Sequence, residues 1–294
     1  MPKAKVNDIE IEYETFGDPS SKPLLLITGL GAQLINWDKE FCKKLVERGF
    51  YVIRFDNRDV GLSTKFDEAG EPDLMKLYIS AQRGEEIEAT YNLEDMADDS
   101  VGLLTAINID KAHICGVSMG GMIAQVIACR HPSHVLSLIS IMSSTGNPGL
   151  PRPTPEAMQV LIKPLPTGRD AIIEAGVNRM RIVHGNGLPF DEERALRLAT
   201  ASYDRSNYRP GYSRQLAAVI ASGNRKPALN SIKVPTIVIH GEVDPLVSLE
   251  GGKDTVEAIP GAELLVIKGM GHSLPPEVWP QLIDAIIKNT SKAY

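Results

Sequence analysis

Apolar residues in this chain gather in short runs rich in β-branched and aliphatic side chains: Leu24 to Ile27, Tyr51 to Phe55, His113 to Cys115, Val135 to Met142, Thr236 to Ile239 and Leu264 to Ile267. A run without polar alternation reads as a strand covered on both faces, as in a parallel sheet between layers of helices. Between these runs, segments 36–48, 93–107, 119–131, 248–258 and 277–289 carry helical spacing of apolar positions. The alternation predicts an α/β fold with a mostly parallel central sheet, right-handed crossovers and flanking helices. Ahead of it, Ile9-Glu10-Ile11-Glu12-Tyr13 alternates strictly and predicts an antiparallel edge hairpin.

One stretch breaks the rhythm. From Thr145 to Asn230 the strand pattern vanishes, and helical patterns open at Thr154-Pro155, Gly168-Arg169-Asp170, Pro189-Phe190-Asp191 and Pro210-Gly211. The expected organisation is therefore a core formed by 1–144 and 231–294, with 145–230 as an all-helical cap over the carboxyl edge of the sheet. Active sites of α/β sheets lie at that edge. Segment 64–92, with one helix expected at 73–83, is a second irregular piece bordering the same opening.

Charge narrows the function classes. With 31 Lys and Arg against 37 Asp and Glu the net charge is −6, and no segment concentrates enough positive charge to follow a phosphate backbone, so nucleic acid is not an expected partner. Ten arginines between Arg152 and Arg225 are interleaved with acids and read as solvated helix faces. Cys42, Cys115 and Cys129 make an odd set without metal-ligand spacing, which points to small core residues in a reducing compartment, with no metal and no cofactor. No apolar leader opens the chain and no run nears the roughly 20 residues that span a bilayer, so a cytoplasmic protein without a membrane partner is expected. Monomer and homodimer both remain open.

The chemistry centres on Gly116-Val117-Ser118-Met119-Gly120, a G-x-S-x-G pentapeptide between a strand pattern and a helix pattern. That context is what a nucleophile elbow needs, because small neighbours let strand and helix close on a strained serine. A serine hydroxyl is a weak nucleophile by itself and requires a base and an orienting acid. Of six histidines, only His272 follows the last strand pattern, in Gly269-Met270-Gly271-His272-Ser273-Leu274-Pro275. The acid is expected after the preceding strand, in His240-Gly241-Glu242-Val243-Asp244-Pro245. Glu242 and Asp244 both qualify there, and Asp244 is favoured because it lies farther beyond the strand end. An oxyanion hole needs two backbone N–H donors, assigned to Met119 and to Leu30 in Thr28-Gly29-Leu30-Gly31-Ala32. Gly29, Met142, Leu246 and Leu274, roofed by residues 150–165, are expected around the substrate.

The order Ser118, Asp244, His272 resembles that of the α/β-hydrolase superfamily, over nearly the whole chain. Asp56-Asn57-Arg58-Asp59-Val60-Gly61-Leu62-Ser63 resembles the superfamily's D-x-R-G-x-G-x-S loop, and Asn92-Leu93-Glu94-Asp95-Met96-Ala97-Asp98-Asp99 resembles the helix entry of its cap-bearing enzymes. Two departures stand out. Asp59 replaces the usual glycine, at little expected consequence. Thr28 replaces a common histidine, which is expected to remove a supporting hydrogen bond behind Leu30. Segment Arg181 to Asp191 and the Gly269 to Pro275 loop look most similar to the aclacinomycin methylesterase group, which implies a carboxylic-ester substrate. Haloalkane dehalogenases and epoxide hydrolases of this fold carry aspartate at the elbow, so Ser118 favours acyl transfer on small to medium, mostly apolar esters. A lactonase or a cofactor-free perhydrolase with the same triad is the nearest alternative. A non-catalytic ligand receptor is the more distant one.

Overall fold

The computed structural model describes residues 1–164 and 166–293. Eight strands form one sheet: β1 (Lys3–Val6), β2 (Ile9–Phe16), β3 (Lys22–Ile27), β4 (Phe50–Phe55), β5 (Ala112–Val117), β6 (Val135–Ile141), β7 (Thr236–Gly241) and β8 (Glu263–Ile267). Their spatial order is β1-β2-β4-β3-β5-β6-β7-β8. The β1–β2 and β2–β4 pairs are antiparallel and all others parallel, so the expected edge hairpin and parallel centre are both present.

The helices outside the 145–230 stretch are α1 (Lys39–Val46), α2 (Leu74–Gln82), α3 (Leu93–Ala106), α4 (Met119–Arg130), α10 (Leu249–Ala258) and α11 (Trp279–Thr290). Successive residues of β3 face opposite ways, and this divides the core. Leu25 and Ile27 pack with α3, α4 and α10 residues such as Leu104, Ile123 and Ala258. Leu24 and Leu26 pack with Phe41 of α1 and Leu282 and Ile286 of α11 on the other face. Strands buried on both sides are why the sequence shows unbroken apolar runs, except at β8, an edge strand whose Val266 is exposed although its run Leu264 to Ile267 reads as covered on both faces. Two helices start later than their periodicity indicates. Leu34–Asn36 forms a separate 3-10 turn before Asp38 caps α1 through the Glu40 N–H, and Pro276–Val278 forms another before α11.

Between β6 and β7 lie α5 (Pro155–Ile162), α6 (Arg169–His184), α7 (Glu192–Arg205), α8 (Arg209–Ala221) and the short α9 (Lys226–Leu229). The first four begin where the sequence signals them, with Thr154 and Asp191 capping α5 and α7; the one-turn α9, which has Pro227 in its first turn, was not among the expected helices. The roots of this helical insertion are tied together. The Arg225 N–H donates to Thr145 O at 2.8 Å, and its guanidinium donates to Ser144 O at 2.9 Å. Segment 64–92 also engages the insertion: the Tyr208 hydroxyl donates to Asp67 at 2.5 Å and Ser213 to Glu71 at 3.2 Å.

The arginines of the insertion correct the expectation of a uniformly solvated face. Arg214 is fully buried, with both Asp59 carboxylate oxygens within 2.8 Å of its guanidinium. Cys42 and Cys115 are buried and Cys129 half-buried, all as free thiols, and burial pushes Cys42 up to about 12. Among the described residues, no helix is long and apolar enough to cross a membrane.

Candidate active site

The carboxyl ends of β3, β5, β7 and β8 carry the sequence-predicted residues. Ser118 follows β5 directly, with φ 54° and ψ −121°, a strained conformation for a residue bearing a Cβ. The strain persists because its surroundings fix it. A Cβ on Gly116 would lie 2.0 Å from Gly120 O, and one on Gly120 would lie 2.3 Å from Ile27 O. Strand and helix thus meet through bare backbone, the close approach that the glycine spacing predicts. The Ser118 N–H donates to Ile141 O at 2.9 Å, and the Ser143 hydroxyl donates to Ser118 O at 2.9 Å.

Asp244 and His272 come together as the preferred assignment requires: His272 Nδ1 lies 2.7 Å from Asp244 Oδ2. The other Asp244 oxygen accepts from the N–H groups of Leu246 and Val247 at 2.9 and 2.8 Å, which locks the carboxylate plane. With Nδ1 donating to Asp244, Nε2 is the imidazole nitrogen left to face a reacting group. Glu242, the alternative acid, is exposed and accepts instead from the Gly269 N–H at 3.1 Å. Among the described residues, no hydrogen bond joins Ser118 Oγ to His272. Beneath the acid loop lies His240, fully buried, with Nε2 2.8 Å from Val247 O and 3.7 Å from Asp244 Oδ2. Burial holds this imidazole below the ordinary histidine range.

The Leu30 and Met119 N–H groups donate to no described residue, whereas their neighbours are engaged: Gly31 N–H donates to Gln215 Oε1 at 2.8 Å and Ala32 N–H to Gly29 O at 3.2 Å. Met119 sits at the N-terminus of α4, where the helix dipole favours an anion. Gly29 lies against the serine, and a Cβ there would be 3.2 Å from Ser118 Cβ. The expected cost of Thr28 is not observed. Its hydroxyl donates to Ala32 O at 3.0 Å and accepts from Asn57 Nδ2 at 3.1 Å, so the loop remains braced without a histidine. Gln215 adds a second brace, since its Nε2 donates to Arg58 O at 2.8 Å.

The D-x-R-D loop is similarly engaged. Asp56 accepts from the N–H groups of Leu34 and Leu62 at 2.7 and 2.8 Å and pairs with Arg205 at 2.7 Å. Arg58 pairs with Asp99 at 2.6 Å. Asp59 has more consequence than the sequence indicated: besides Arg214 it accepts from the Tyr91 hydroxyl at 2.8 Å and the Phe66 N–H at 2.9 Å, at a φ of 71°. Neither Gln215 nor the Asp59–Arg214 pair had a local sequence signal, because each joins residues more than 150 positions apart.

The nominated pocket residues divide. Met142 is buried in the core cluster and Leu274 packs half-buried against it, while Leu246 is half-exposed beside Asp244. Of the roof, residues 150–164 are described and Leu165 lies outside the described residues.

Comparison with known proteins agrees with this architecture. Residues 22–277 match the family model described as alpha/beta hydrolase fold, and the chain belongs to that family. The chain is 29% identical to rhodomycin D methylesterase DnrP of Streptomyces peucetius, covering 100% of this chain and 99% of that one. It is 22% identical to 3-oxoadipate enol-lactonase 2 of Acinetobacter baylyi, over 96% of this chain and 94% of that one. A meta-cleavage product hydrolase from Pseudomonas fluorescens superposes with a TM-score of 0.78 at 19% identity, covering 100% and 98% of the two chains, a likeness of fold.

Proposed function

We propose that this protein is a serine carboxylic-ester hydrolase acting through an acyl-enzyme, with Ser118, His272 and Asp244 as its triad. The observation that carries the reading is the Asp244–His272 hydrogen bond of 2.7 Å, combined with a serine held in strain at the end of β5. His272 Nε2 takes the Ser118 proton as Oγ attacks the ester carbonyl. The tetrahedral oxyanion is held by the N–H groups of Leu30 and Met119. His272 then delivers the proton to the leaving alcohol and activates the water that releases the acid. Asp244 keeps the imidazole in the tautomer with Nε2 free and stabilises its charged form. The serine–histidine contact of such sites tightens when substrate is bound.

The helical insertion, residues 145–230, acts as a cap domain over this centre. Likeness to a methylesterase over the full chain supports methyl esters as substrates, and likeness to an enol-lactonase supports ring-opening of an activated lactone as the second reading. Both use the same acyl transfer, so comparing rates on methyl esters and on enol-lactones separates them. The test of the shared mechanism is Ser118→Ala: hydrolysis of p-nitrophenyl esters should fall by about 10³-fold or more, with the thermal unfolding midpoint preserved. Undiminished turnover by that variant would refute the assignment.

A further inference from the structure

A cavity of about 260 Å³ lies where the helical insertion meets the loops after β3 and β4. Leu30 and Gly31 border it from the core side, and Tyr203, Tyr212, Arg179 and Arg209 border it from the insertion. Leu30 is also the residue whose N–H serves the proposed oxyanion hole, so cavity and reaction point share one loop. The volume is below the roughly 300–1,000 Å³ of sites that enclose a whole small molecule, and suits a one- or two-ring fragment.

Two of the cavity's arginines differ from the others on these helices. Arg169, Arg181, Arg194, Arg197, Arg205 and Arg214 each face a carboxylate. Arg179 and Arg209 have no carboxylate and no hydrogen-bond acceptor among the described residues, although both are half-buried. Arg179 instead stacks 4.8 Å above the Tyr212 ring. The Tyr203 hydroxyl has no hydrogen-bond partner among the described residues either. A guanidinium partly withdrawn from water is stabilised most by a planar anion that takes two of its N–H groups. Tyr203 and Tyr212, whose rings carry the Arg169 and Arg179 guanidiniums at 5.8 and 4.8 Å, add aromatic surface to the cavity wall.

We propose that this cavity binds an aromatic carboxylate, with its ring among Tyr203 and Tyr212 and its acid group on Arg179 and Arg209. The ester hydrolysed at Ser118 then carries a second, free acid on its ring system. The last step rests on the proposed hydrolase function; the binding site does not.

The experiment titrates 2-naphthoate and its neutral counterpart 2-naphthamide into the Ser118→Ala protein by calorimetry. The carboxylate should bind about tenfold or more tightly than the amide, the contribution of charge-assisted hydrogen bonds. Adding Arg179→Gln or Arg209→Gln should shrink that margin to about twofold, and Arg179→Lys should restore part of it. Unfolding midpoints of each variant check that the fold survives. Equal binding of the two compounds overturns the proposal. So does a margin that outlasts both arginine replacements, since the anion is then held elsewhere, as at the oxyanion donors. Loss of the hydrolase reading through active Ser118→Ala protein leaves this margin as an independent result.

Discussion

Two seams hold the helical insertion against the sheet edge, and only one of them adds buried charge to close-packed backbone. On the His272 side the join is bare backbone. The His272 N–H donates to Val183 O at 2.8 Å, and a Cβ on Gly271 would lie 2.0 Å from His184 O. His184 finishes that seam with Nδ1 2.8 Å from Ser273 Oγ. On the Leu30 side a backbone contact, where a Cβ on Gly211 would lie 1.9 Å from Asp59 O, is joined by buried charge, Asp59 with Arg214 and Asp56 with Arg205, plus the amide of Gln215. A seam of close-packed backbone fails when atoms are added, whereas a seam of buried ions fails when one partner is removed.

The largest effect should come from unpairing the charged seam. Arg214→Met leaves the Asp59 carboxyl buried without its guanidinium partner, which costs about 3–5 kcal/mol, read as a lower denaturant midpoint. Combining it with Asp59→Gly should recover only part of the loss: the pair disappears together and glycine accepts the φ of 71° without strain, but the Tyr91 hydroxyl and Phe66 N–H lose their acceptor. A single variant that loses less than about 1 kcal/mol would mean that the pair does not hold the seam.

That contrast also explains what was legible in the chain. Strands, the elbow serine, the Asp244–His272 partnership and four helix starts of the insertion were readable, because each rests on local periodicity, turn chemistry or chain order. The Gly269–Gly271 loop likewise marked itself through its glycines. The charged seam did not. Arg214 looks like its solvated neighbours on a polar helix, and only the fold brings Asp59 to it across 155 positions. Thr28 misled for a related reason: its brace comes from Asn57 on another strand's loop, so the missing histidine was visible and the replacement was not.

Gly271→Ala probes the other seam. A methyl group forced toward His184 O must push the His272 loop off the insertion, which should cost about 1–3 kcal/mol and lower kcat through displacement of the imidazole. Because no charge is involved, the loss should be the same in low salt and in about 1 M salt. Equal stability and turnover in wild type and variant would show that this contact is slack.

The smallest effect separates the seams by pH. Lys65 lies in the charged seam, donating to Gly61 O and Ser63 O at 2.7 Å each, and burial pulls its amine down to about 8 from the ordinary 10.5. Between these values the unfolded chain holds a proton that the native protein has released, so the unfolded state binds more protons and stability from this site rises with pH. At neutral pH the withdrawn ammonium is therefore a liability that alkali relieves. Urea midpoints from about pH 7.5 to 10 should show an upward contribution that Lys65→Met removes and Gly271→Ala leaves in place. Parallel profiles for wild type and Lys65→Met would mean that the amine keeps its proton through this window, and that the two seams do not differ in their response to alkali.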